Sequence, residues 1–330
     1  MRNPFPGQIE GYCKAPKNGL VAAGYGGGSS NLTKDFVTES PPSPPPAPSF
    51  IFIPDDSLGT PFPNAPKDGV VIGNLLYSLS STSRVLSSAD VKHWTNLGVT
   101  GTAPQGIAFG VGTIVVVNGN NQISYSTNLA VSFTTITIAS MLGHMNKVVF
   151  ANATFVAVGD NNQSATSPDG INWTTHAITT GPDRVFQAVT YGNGMFIATG
   201  FFRSIYSSPD GASWTARNDP LSGGSLDAVT FDGSRFISVG QNGLVYTSPD
   251  GLVWTQHIAA LPGSVRGRGV AGVPSLALAI NDNEEVCQST DGGATWSVLT
   301  TGSKGQVGNF IKLFNSANNI YAVGDRAPSP

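Results

Sequence analysis

Short runs in which apolar and small polar residues alternate recur along most of the chain, with glycine and asparagine between them. One unit shows the order: Ala188-Val189-Thr190-Tyr191, Met195-Phe196-Ile197-Ala198-Thr199, Ser204-Ile205-Tyr206-Ser207 and Ser213-Trp214-Thr215-Ala216. Each run has the two-residue period of a strand with one face on a core, so the unit is predicted to be four short strands. The inner pair recurs at 106–117, 147–158, 228–239, 269–280 and 310–323, with a degenerate copy at 69–80. Four strands in about 40 residues make one blade of a propeller.

A turn punctuates each unit at the same place. It reads Ser88-Ala89-Asp90 with Trp94, Ser126-Thr127-Asn128 with Phe133, and Ser167-Pro168-Asp169-Gly170 with Trp173. It continues as Ser208-Pro209-Asp210-Gly211 with Trp214, Ser248-Pro249-Asp250-Gly251 with Trp254, and Ser289-Thr290-Asp291-Gly292 with Trp296. The Asp or Asn falls at 90, 128, 169, 210, 250 and 291, a period of 38–41 residues. A carboxylate in that place accepts backbone N–H bonds of its own turn, and the glycine after it tolerates positive φ. The serine hydroxyl bonds the same loop and the Trp covers it, so these residues read as staples of the fold and not as ligands.

On these residues the chain resembles the Asp-box, or BNR, repeat proteins from about residue 69 to 325. Sialidases, sortilin-like receptors, photosystem assembly factors and phage and bacterial surface proteins share that repeat. The resemblance implies an all-β propeller and little about activity, because unrelated functions use the repeat.

Seven inner pairs but six Asp-boxes are present, since the last pair runs out at Pro330. A ring closes best when one blade draws strands from both chain ends, which hides sheet edges. The apolar stretch Ser49-Phe50-Ile51-Phe52-Ile53 before Pro54 is the natural donor. Seven blades are expected, with residues 49–54 completing the seventh; a six-bladed ring with a spare strand pair is the alternative.

Two domains follow: an irregular arm over residues 1–48 and a propeller over 49–330. The arm carries the glycine-rich stretch 24–30 and Pro41-Pro42-Ser43-Pro44-Pro45-Pro46-Ala47-Pro48, an extended polyproline spacer. Neither forms a core, so a neighbouring subunit is expected to hold the arm.

Composition narrows the partners. Charged residues are 11% of the chain, the formal charge is −3 and the 17 Lys and Arg are scattered, which disfavours nucleic acid. No apolar run is long enough to cross a membrane, and the N-terminus, Met1-Arg2-Asn3-Pro4-Phe5-Pro6, lacks the apolar region of a secretion signal. Cys13 and Cys287 define no disulfide framework; two free thiols or one bridge from arm to propeller both fit.

Catalytic motifs are missing. A sialidase-like site asks for an arginine before Ile-Pro in an early strand, and Phe52 stands in that place before Ile53-Pro54. His176 and His257 each lie three residues after a repeat Trp, on an outermost strand facing solvent. Asn281-Asp282-Asn283-Glu284-Glu285 and Asp160-Asn161-Asn162 lack the ligand order of a calcium loop and read as turns. No enzyme activity, cofactor or metal is expected.

With the Asp-box turns on one rim, the turns between second and third strands occupy the other. Asn120, Asn121, Asn161, Asn162, Phe201, Phe202, Arg203, Gln241, Asn242 and Asp282 fall there, giving a polar, weakly acidic face with one aromatic-arginine cluster. Such a face suits protein partners or a host-surface glycan, although asparagine is also a good turn former. The expected function is therefore a structural or adhesion component of a large assembly, a bacteriophage virion protein of tail, neck or fibre anchored by residues 1–48. A secreted or surface glycan-binding propeller is the alternative, and a sialidase-like glycosidase comes third.

Overall fold

In the computed structural model the described residues are 49–53, 66–89, 93–140, 143–178, 184–218, 223–283, 285–299, 310–316 and 319–324. All belong to the unit Pro46–Pro330; the expected arm, 1–48, lies outside them, as does Asp90.

The strands form six four-stranded antiparallel sheets and one three-stranded sheet. The innermost strands of the six blades are Pro66–Ile72, Pro104–Gly110, Met145–Ala151, Phe186–Gly192, Leu226–Phe231 and Gly267–Val273. In each, the next three strands follow in chain order outward. The strand Phe310–Ser316 opens the seventh sheet and packs against the innermost strands of both the sixth and the first blades, which closes the ring. This is a β-propeller, as the four-strand period predicts.

The seventh sheet corrects one expectation. Ser49–Ile53 does join it, pairing with Asn319–Gly324, but the pairing is parallel and no fourth strand is present among the described residues. Ser49–Ile53 therefore adds a third strand to the last sheet without completing a four-stranded blade among the described residues. An apolar run such as SFIFI specifies that a strand forms and leaves its direction to tertiary contacts.

The core lies between blades. Tyr77, Leu79 and Val85 of the first blade cluster with Ile107, Ile114 and Val116 of the second. Five more clusters bridge the following pairs, the last joining Leu278 and Ile280 to Leu313 and Ile320. The second strand of each four-stranded blade is buried almost throughout because neighbouring blades cover both sheet faces, while the outermost strands stay largely exposed or half-buried; each large side chain so buried contributes about 1.5–3 kcal/mol.

The Ser–Asp turns carry this packing. Ser208 Oγ donates to Asp210 Oδ1 (3.0 Å) and accepts from the Gly211 N–H (2.8 Å), while the N–H groups of Ala212 and Ser213 donate to Asp210. Ser167–Asp169, Ser248–Asp250 and Ser289–Asp291 repeat the arrangement, and Ser126–Asn128 keeps the hydroxyl-to-oxygen bond at 2.8 Å. The indole N–H of Trp173, Trp214, Trp254 and Trp296 donates to a carbonyl within its own turn. Ser88 is buried in the first blade.

These turns also reach the preceding blade. A Cβ on Gly170, Gly211 or Gly251 would fall 2.6, 2.4 or 2.7 Å from Val115, Val156 or Ile197, each on the second strand of the blade before. All three glycines have φ between +76° and +78°. Positive φ and close approach together leave glycine as the residue that fits.

Candidate binding face

In every blade the first residue of the innermost strand pairs with the last of the second, as Pro66 does with Ser80 and Phe186 with Gly200. The start of the innermost strand therefore shares a rim with the turn between second and third strands. The Ser–Asp turns lie on the opposite rim, as expected.

The predicted turn residues fall on this face. Asn120–Asn121, Asn161–Asn162, Phe202–Arg203 and Asn242–Gly243 are consecutive left-handed pairs with φ of 56–65°. Asparagine enters this region several-fold more readily than most residues, which accounts for the Asn pairs. Asn121 Oδ1 accepts from the Gly143 N–H (2.8 Å) and Asn162 Oδ1 from the Arg184 N–H (2.6 Å), so both amides brace the following connection. Asn120, Asn161 and Asn242 are exposed, Gln241 is half-buried, and Asn162 is buried.

Phe202 and Arg203 adopt the same pair without asparagine's tolerance. The guanidinium carbon of Arg184, itself 2% exposed, lies 5.1 Å from the Phe202 ring centroid. Phe201 is 40% exposed. Arg203 Nε is buried without a hydrogen-bond partner among the described residues, while its carbonyl accepts from Asn218 Nδ2. The two calcium-like strings are turns: Asn281 Oδ1 accepts from the N–H groups of Asn283 and Glu285 (both 3.0 Å), and Asp160 Oδ1 accepts from Asn146 Nδ2 (3.1 Å).

A ring of polar side chains that the turns do not include surrounds the channel mouth. In each four-stranded blade the pairing of the innermost strand slips by one residue near its start, between Pro66 and Asp68, Pro104 and Gly106, Met145 and Lys147, Phe186 and Ala188, Leu226 and Ala228, and Gly267 and Gly269; the seventh sheet slips likewise between Phe310 and Lys312. The residues skipped in the four-stranded blades are Lys67, Gln105, Asn146, Gln187, Asp227 and Arg268. A β-bulge breaks the in-out alternation and re-aims its extra side chain; all six line a cavity of about 90 Å³ at this mouth. Below it a channel of about 390 Å³ runs between innermost strands, past Val70, Ala108, Val149, Thr190, Thr230 and Leu313.

Ion pairs fix part of the ring. Lys147 Nζ lies 2.6 Å from Asp68 Oδ1, and the other oxygen of that buried carboxylate accepts the Ile107 N–H (2.9 Å), so one Asp ties three blades together. Arg266 donates twice to Asp227, through Nε (2.5 Å) and Nη2 (2.9 Å), which pushes the guanidinium further above its ordinary pKa. Arg268 pairs with Asp282. The expected weakly acidic character is thus offset by Lys67, Lys147, Arg266 and Arg268. Turn-by-turn reading missed these cations; the signal is a polar residue recurring just before the inner apolar run in each of the six four-stranded blades, whereas the seventh sheet has Ile311 at that place.

Elsewhere, His176 and His257 sit on outermost strands as expected, but both are half-buried, each ring paired with a threonine hydroxyl (2.8 and 3.0 Å). Cys287 is a buried free thiol, and burial with the nearby Glu285 carboxylate pushes it up to about 12. Cys13 lies outside the described residues. No group of three or more His, Cys, Asp or Glu able to hold a metal occurs among the described residues.

No family model matches the chain, and no curated protein matches it. Solved structures do. YCF48 bound to a D1 peptide is 16% identical with a TM-score of 0.63, covering 81% of this chain and 91% of that one. YCF48 from Cyanidioschyzon merolae gives 16%, 0.62, 81% and 95%. The WD40 β-propeller domain of Doa1 gives 11%, 0.63, 83% and 94%. At such identities the likeness establishes one thing, that this chain has the β-propeller fold.

Proposed function

We propose that this chain is a non-enzymatic, Asp-box-type propeller that serves as a rigid interaction module in a larger assembly, in its most concrete form a bacteriophage tail, neck or fibre protein anchored through residues 1–48. The observation that carries the reading is how the chain uses its carboxylates. Asp169, Asp210, Asp250 and Asp291 are all held below the usual carboxylate range by hydrogen bonds within their own turns, led by the N–H groups of Asn172, Ser213 and Leu252 and the Thr295 hydroxyl. A general acid needs a raised pKa near the working pH, the opposite shift. Asp68, Asp227 and Asp282 are occupied by cations. Polar chemistry is spent on stiffness, which suits a module that positions partners.

Two further features support the reading. A YCF48 structure holds a D1 peptide, so this fold can present its surface to a polypeptide. The proline-rich run 41–48 has the composition of a stiff spacer between an attachment segment and a folded unit.

The test is assembly. Full-length protein is expected in a high-mass complex or in purified virions, and a chain lacking residues 1–48 is expected to fold as a monomeric propeller that fails to incorporate. Normal incorporation of the truncated chain would overturn the anchoring role; sialoside hydrolysis by pure protein would restore the enzyme reading.

A further inference from the structure

We propose that the bulge-lined mouth of the channel docks an extended, acidic polypeptide segment, with Lys67 taking a carboxylate and Gln105 and Gln187 pairing with the segment's backbone amides. The proposal rests on the interaction-module reading and says where on the propeller, and for what chemistry, that interaction occurs.

Few valences at the mouth remain open. Asn146 Nδ2 is taken by Asp160 and the Phe186 carbonyl, Lys147 by Asp68, and Arg266 by Asp227. Lys67 and Gln187 make no hydrogen bond or ion pair with any described residue, and Gln105 makes a single bond at 3.4 Å from its amide nitrogen. Around a frame of satisfied ion pairs the mouth thus offers one uncompensated ammonium and two amides. A half-buried cation without a counter-charge selects an anion, because desolvation there strengthens the pairing.

Among the described residues each innermost strand pairs on one side only, so its other edge turns backbone N–H and C=O groups toward the channel. One such donor, the Ile107 N–H, is already taken by a carboxylate, that of Asp68. The edge therefore displays, within the protein itself, the contact that an acidic side chain of a ligand would make. Free strand edges recognise extended chains through main-chain hydrogen bonds.

A channel of about 390 Å³ is too small for a folded domain and suits a few extended residues. A glycan would call for an open aromatic platform, yet the bulge side chains include none, and Phe202 is engaged by Arg184.

The experiment uses full-length protein and fluorescein-labelled degenerate octapeptides carrying two fixed glutamates, with a second library carrying glutamine in their place, read by fluorescence anisotropy. The glutamate library is expected to bind, more weakly as salt rises, and the glutamine library to bind about tenfold less tightly, as loss of one charge-assisted contact implies. Lys67→Glu is expected to abolish the preference and Lys67→Gln to give an intermediate value, with the thermal midpoints of both unchanged. Absence of peptide binding, equal binding of the two libraries, or full binding by Lys67→Glu overturns the proposal, as does capture of a glycan at the mouth in place of peptide. Assembly of the Lys67→Glu chain, scored separately, tells failure of this site from failure of the module reading.

Discussion

The indole nitrogen of Trp214 donates to the hydroxyl of Ser164, 3.0 Å away on the third strand of the preceding blade, and that hydroxyl donates in turn to the Gly211 carbonyl at 3.1 Å. A turn whose other bonds serve its own hairpin is thereby buttoned to its neighbour. Trp214→Phe keeps most of the apolar contact and leaves the Gly211 carbonyl and Ser164 without the indole donor, so it is expected to lower stability by about 1–2 kcal/mol in urea titration. Ser164→Ala should cost less, since Trp214 retains the Gly211 carbonyl. Equal costs would show that the cross-blade bond is the dominant one.

Two glycines with nearly the same backbone separate conformational strain from blade contact. Gly211 (φ +77°) has Val156 2.4 Å from where a Cβ would lie, whereas Gly194 (φ +78°) has nothing within 4 Å. Gly194→Ala is expected to cost about 1–2 kcal/mol, the left-handed penalty alone. Gly211→Ala should add about 1–3 kcal/mol of overpacking to that. Similar melting temperatures for the two variants would refute the inter-blade role of the turn.

Acid sensitivity follows from the staples. Each Asp pKa is depressed in the folded state, so its stabilisation is complete above the unfolded value near 4 and is lost as pH falls through the folded value, about 2 for Asp291. Stability is expected to be flat from about pH 7 to 5 and to decline from about pH 4 downward. Because the second blade already uses Asn128 in this turn, Asp250→Asn should fold and show a shallower acid decline. An unchanged slope in acid titration followed by circular dichroism would count against the staples as its source.

Arg203 offers a change toward greater stability. It holds φ +59° where other blades place Asn121, Asn162 or Gly243, and it buries an Nε that has no hydrogen-bond partner among the described residues. Arg203→Asn is expected to stabilise by about 0.5–1 kcal/mol, keeping the carbonyl that Asn218 uses. A lower thermal midpoint would mean that the guanidinium packs more favourably than the backbone strain costs.

Local chemistry made the repeat legible. Ser, Asp, Gly and Trp at fixed offsets report on bonds made within five or six residues, and Asn-Asn or Asn-Gly reports on left-handed φ, so both rims follow from short strings. The contacts of Trp214 with Ser164 and of Gly211 with Val156 join residues 50 or more apart, and nothing in either string names its partner. The mouth was hidden for another reason. A bulged residue looks like any other member of an alternating run, so Lys67, Gln187 and Arg268 pass for ordinary strand residues until pairing shows each to be skipped. Parallel pairing of Ser49–Ile53 with Asn319–Val323 is likewise a property of the closed ring.

That parallel seam decides how the ring answers to mechanical load. Tension drawn through the chain on both sides of the unit pulls Ser49–Ile53 toward its start and Asn319–Gly324 toward its end. In a parallel pair these directions oppose each other along the strands, so the ladder from Ser49↔Asn319 to Ile53↔Val323 is strained in shear, all its bonds sharing the force, where an antiparallel clasp would be peeled open one bond at a time.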